Sequence, residues 1–140
     1  MKAIFLKIFL ICLAFLAAAR AAPIEGGVII ANEGAPIDSL SAAALKDIYT
    51  GRMTYWSGGQ PVVIAVMLNS TEAALKEVSG MDASQFKTFW QRMVFSGRGQ
   101  QPKMVDDVAT LVALVASTRG AIALVPAHTP MRGVKVVEIK

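Results

Sequence analysis

Two kinds of hydrophobic run follow one another along the chain, and their order sets the expected architecture. Residues 27–31, 62–68 and 121–125 are short, apolar and rich in β-branched side chains, which predicts buried strands. The run at 62–68 has no polar interruption, as expected of a strand covered on both faces. Residues 134–139 alternate instead, which predicts a half-exposed edge strand. Between these runs the apolar residues recur at three and four. Leu45, Ile48 and Tyr49 predict a helix over 42–50, with Ser41 as its N-cap and Gly51 ending it in the left-handed conformation. Asn69 followed by Glu72 has the spacing of a capping box and predicts a helix over 71–79, stopped by Gly80. Asp82 and Gln85 repeat that spacing ahead of a longer helix through Phe86, Phe89, Trp90, Met93 and Val94. A last helix is expected over 105–118, with Val108, Leu111, Val112 and Val115 facing inward and Gly120 stopping it. The order β-α-β-α-α-α-β-β predicts an α/β fold, a mainly parallel sheet with helices on both faces.

The first residues change how the composition is read. Lys2 and Lys7 precede an unbroken apolar stretch over 8–19, and Ala19-Arg20-Ala21 has the small-x-small pattern of a cleavage site. Residues 1–21 are therefore expected to be a secretory signal peptide, leaving one exported domain over 22–140. The chain carries 14 basic and 10 acidic residues, but Lys2, Lys7 and Arg20 belong to the leader. The remainder is nearly neutral, with basic residues scattered singly, so no nucleic-acid partner is expected. The only cysteine, Cys12, also lies in the leader, so no disulfide can staple the domain.

Little in the chain suggests catalysis. His128 stands alone in a loop after a strand, without a serine or cysteine motif near it. Asp106 and Asp107 are adjacent, so they do not face each other on a helix, and acids are favoured at a helix start by the dipole. No catalytic residue, metal site or cofactor is expected. Anion binding has better candidates. The run at 62–68 leads straight into Asn69-Ser70-Thr71 and then a helix, and a helix N-terminus beyond a strand end offers amide donors to an oxyanion. Arg98, between Gly97 and Gly99, can present a guanidinium fork to the same kind of group. The aromatic set Phe86, Phe89, Trp90 and Phe95 is spaced as a packed face. Tyr49, Tyr55 and Trp56 are read either as a rim or interface patch, or with Trp56 buried against the first helix.

A longer pattern sharpens this. Residues 28–32, a proline connector, Leu40-Ser41, then Leu45, Ile48-Tyr49, Gly51-Arg52 and Trp56-Ser57 resemble a segment of the periplasmic phosphate-binding proteins. Ser70-Thr71 matches the position of that family's Ser-Gly-Thr grip, without its central glycine, and 120–125 resembles its Gly-Ala-Ile-Gly-Tyr-Val strand. The resemblance implies a single lobe like the second lobe of a type II periplasmic binding protein. It also implies an oxyanion, inorganic phosphate above all, held by Asn69, Ser70, Thr71 and Arg98, and service to the membrane component of an ABC transporter. The family's arginine ahead of that grip has no counterpart here, where Met67 and Leu68 stand. This leaves open an alternative: an envelope interaction or scaffold module that has lost phosphate binding and meets another envelope protein or forms a homodimer.

Overall fold

The computed structural model describes residues 24–140. The expected leader lies outside the described residues. The elements in chain order are β1 (Gly27–Asn32), β2 (Ser39–Leu40), α1 (Ala42–Tyr49), β3 (Val63–Val66), α2 (Glu72–Ser79), α3 (Ala83–Phe95), β4 (Lys103–Met104), α4 (Val108–Ser117), β5 (Ala121–Pro126), β6 (Val134–Val136) and β7 (Glu138–Ile139). Five strands form one sheet in the order β4-β3-β5-β1-β6, and β2 pairs with β7 in a separate two-stranded sheet. β3 is parallel to both β4 and β5, whereas β1 is antiparallel to both β5 and β6. Four of the five strands therefore run one way and β1 alone runs against them, which gives the mainly parallel sheet expected.

Alternation along the central strands divides the core in two. Ile29 and Ala31 of β1, Ile64 and Val66 of β3, and Ile122 and Leu124 of β5 face one side. There they meet Leu45, Ile48 and Tyr49 of α1, Leu75 and Val78 of α2, and Phe86 and Trp90 of α3. Ile30, Ala65, Ala121, Ala123 and Val125 face the other side and pack against Leu111, Val112 and Val115 of α4. Three helices thus cover one face and one covers the other, which is why 121–125 is apolar at every position.

Polar groups tie the layers where the packing leaves backbone atoms unsatisfied. Asn32, at the end of β1, donates from Nδ2 to the carbonyls of Val115 (2.9 Å) and Ala116 (3.0 Å). These are last-turn carbonyls of α4, which have no partner within the helix. The Trp90 indole donates to the Tyr49 carbonyl at 3.2 Å, fixing α3 against the end of α1. The Trp56 indole donates to the Gly120 carbonyl at 2.9 Å, pinning the 52–60 loop to the turn before β5. The Tyr49 hydroxyl is fully buried with no hydrogen-bond partner, and burial pushes its pKa well above the usual phenol range.

Several elements differ from the sequence-based expectation. Residues 134–139 are not one edge strand. β6 joins the edge beside β1, and the chain then crosses to pair β7 with β2. The two-residue strands β2 and β4 are too short to leave a periodic signature. Phe95 does not belong to the packed aromatic face: as the last residue of α3, five positions past Trp90, it is 97 % exposed. Trp56 is buried in the core while Tyr55 remains outside it.

Candidate functional site

Because β3, β4 and β5 are parallel, the segments that follow them leave the same edge of the sheet. Those segments are 67–71, 105–107 and 127–129, and this is the edge where open α/β sheets bind ligands. Asn69 and Ser70 are exposed there. Thr71 is not: it is 3 % exposed, and its hydroxyl donates to the Met67 carbonyl at 2.9 Å. The capping box expected from Asn69 and Glu72 does not form. The N-cap falls two residues later, at Thr71, with no side-chain cap hydrogen bond, and the helix runs from Glu72. Glu72 therefore stands at the first helical position, too early to reach back to the N-cap amide as a third-position glutamate does. The first-turn amides of α2 receive no side-chain acceptor from the N-cap residue.

The neighbouring helix start is built differently. Asp107 caps α4, accepting from the Thr110 amide at 2.8 Å and the Thr110 hydroxyl at 2.7 Å. These hydrogen bonds hold the Asp107 carboxyl below its ordinary pKa. The helix predicted from residue 105 accordingly starts at Val108. The Asp-x-x-Thr spacing that marks this cap was legible in the sequence. On the third segment, His128 is exposed and adopts a left-handed φ of 65°. The Thr129 hydroxyl donates to the Pro126 carbonyl at 2.6 Å. Among the described residues no group of three His, Cys, Asp or Glu side chains is placed to hold a metal ion.

Arg98 lies elsewhere. It precedes β4, on the side where Val62 and Val63 enter β3, and lines a cleft of about 420 Å³ with Tyr55, Trp90 and Lys103. Asn69, Ser70 and Thr71 leave the other end of β3 and do not line that cleft. The structure thus brings Asn69, Ser70 and Thr71 together and sets Arg98 apart from them. Lys103 had no sequence signal as a site residue, since β4 is only two residues long.

The architecture is shared with solved structures of phosphate-binding proteins. A phosphate ABC transporter substrate-binding protein from Clostridium perfringens, solved with bound phosphate, superposes with a TM-score of 0.63 at 21 % identity, over 81 % of this chain and 44 % of that one. An ABC-type phosphate transport receptor from Vibrio cholerae gives 0.57 at 17 % identity, over 81 % and 46 %. PstS from Borrelia burgdorferi gives 0.60 at 11 % identity, over 82 % and 47 %. No protein-family model and no curated protein matches the chain. The chain therefore has the fold of phosphate ABC transporter substrate-binding proteins, and it spans less than half the length of those to which it is similar. What it forms is a single lobe of that fold.

Proposed function

We propose that this chain is an exported, phosphate-receptor-like module that binds an oxyanion beyond the carboxyl end of β3. The observation that carries this reading is the start of α2: it lacks a side-chain cap and lies beside the exposed Asn69 and Ser70. The Asn69 amide, the Ser70 hydroxyl and the first-turn amides of α2 supply the donors, and the positive end of the helix dipole favours the charge. Thr71 serves through its backbone, because its hydroxyl is committed to Met67. Arg98 takes no part in this site, since it stands off the other end of β3. The similarity in fold to a protein solved with bound phosphate supports phosphate as the oxyanion. Binding without reaction, in the periplasm and in the service of an ABC transporter's membrane component, follows from the same reading.

A second reading is an envelope interaction module, as scaffold or homodimer. Phe95, almost fully exposed next to the exposed Val94 at the end of α3, favours it as an apolar contact available to another protein. Calorimetry of the purified chain with phosphate and then sulfate separates the two. Micromolar phosphate binding that weakens about tenfold with Ser70→Ala supports the receptor reading. No heat at millimolar phosphate overturns it and leaves the interaction module.

A further inference from the structure

The cleft that holds Arg98 is built as a second site, independent of the one at the start of α2. Its walls are apolar where Met53, Val62 and Trp90 line it, and two cations, Arg98 and Lys103, reach it from different elements. No carboxylate lines it among the described residues. The one ion pair among those residues joins Lys135 to Asp38, so neither cleft cation is neutralised by a salt bridge.

The position of Arg98 is set by the backbone. The Gly97 amide donates to the Val94 carbonyl at 3.0 Å and the Arg98 amide to the Met93 carbonyl at 2.9 Å, the paired bonds of a Schellman motif closing α3. Gly97 sits at the left-handed position that this motif requires, with a φ of 73°. At Gly99 the loop lies close against the Trp90 ring, where a Cβ would come within 3.1 Å of the indole. Trp90 is in turn anchored through its indole N–H to the Tyr49 carbonyl. On the facing side the 54–62 loop is held by the Val62 amide donating to the Thr54 carbonyl at 2.9 Å and by the bridge between Tyr55 and Pro61. Tyr55 is 61 % exposed and stands at the margin of the cleft. Backbone contacts thus tie down a segment of each wall, which lowers the entropy lost on binding.

The geometry points to a binding site for a small organic anion: a carboxylate or phosphate monoester whose compact apolar body fills the cleft while its head meets Arg98 and Lys103. The volume is in the range of small-molecule sites, and two cations on a lining that mixes apolar side chains with Thr54, Gln100 and Gln101 suit an amphipathic ligand better than a bare ion. Arg98 favours a planar or tetrahedral oxyanion through paired N–H donors, and Lys103 adds a point charge.

Amide chemical shifts of the isotope-labelled chain, titrated with phenyl phosphate, benzoate, benzamide and inorganic phosphate, test this. Phenyl phosphate or benzoate is expected to shift Gly97, Arg98, Gly99 and Lys103 saturably, with neutral benzamide about tenfold weaker. Arg98→Gln and Lys103→Gln, both at exposed positions, should each weaken the organic anion about tenfold while preserving the dispersed spectrum of the folded chain. Inorganic phosphate should shift Asn69, Ser70 and Thr71, and that response should survive both substitutions. Absence of saturable shifts around Arg98 up to about 10 mM organic anion would overturn the cleft site. So would equal binding of benzamide, or organic-anion shifts confined to residues 69–71. Loss of the inorganic phosphate response alone would overturn the α2 reading and leave this one standing.

Discussion

The starts of α2 and α4 occupy equivalent places, each following a strand of one parallel pair, yet they satisfy their free amides in opposite ways. At α4 the chain supplies its own anion, the Asp107 carboxylate bound to Thr110. At α2 the N-cap threonine turns inward to bond Met67, and no side chain replaces it as a cap. Burial explains the difference. Thr71 lies inside, where the Met67 carbonyl at the strand end needs a donor and an unpaired hydroxyl would be costly. Asp107 stands in solvent and is free to fold back over its own helix. A helix start closed by an internal carboxylate repels a second anion. One left open beside Asn69 and Ser70 can accept an anion from solution.

The sharpest way to break the contrast is to give α2 a capping carboxylate, one that sits ahead of the helix where Glu72, in its first turn, does not cap it. Ser70→Asp places a negative charge beside the open amides and should weaken phosphate binding about a hundredfold by like-charge repulsion. Unchanged affinity in calorimetry would remove the anion from this helix start. Removing single donors should cost less. Asn69→Ala and Ser70→Ala should each weaken phosphate about tenfold, a loss in the range of one charge-assisted hydrogen bond.

Thr71→Val tests whether that side chain is structural. Urea unfolding should show a stability loss of about 1 kcal/mol from the missing bond to Met67. Phosphate affinity should stay within about twofold, because the hydroxyl does not face the ligand. The smallest expected effect concerns pH. Asp107 has a folded pKa below its ordinary value of 3.8, so its contribution is present above that value and is lost as pH falls through the lowered one. Asp107→Asn should therefore melt lower at neutral pH and lose less stability on acidification than the parent chain. Parallel melting curves in thermal unfolding across acid pH would deny the cap its charge.

Much of the scaffold was legible before the structure. Ser41 caps α1 through the Ala44 amide, and Asp82 with Gln85 forms the full capping box of α3, because both motifs depend only on neighbours three residues away. The same local logic failed at Asn69 and Glu72. The spacing suits a cap at Asn69, but the N-cap is Thr71, whose side chain is buried and bonded to Met67 instead of to the helix.

Local sequence determined the class of the domain: which segments are strands and helices, and that the central strands need cover on both faces, since hydrophobic periodicity is a property of the segment itself. Tertiary structure decided the direction of β1, which pairs with β5 and β6 from the far end of the chain. It also decided that Arg98 and Ser70 stand off opposite ends of β3. Which end of a sheet a loop occupies depends on the direction of the strand it feeds, and that direction is set by long-range pairing and packing that no local pattern encodes.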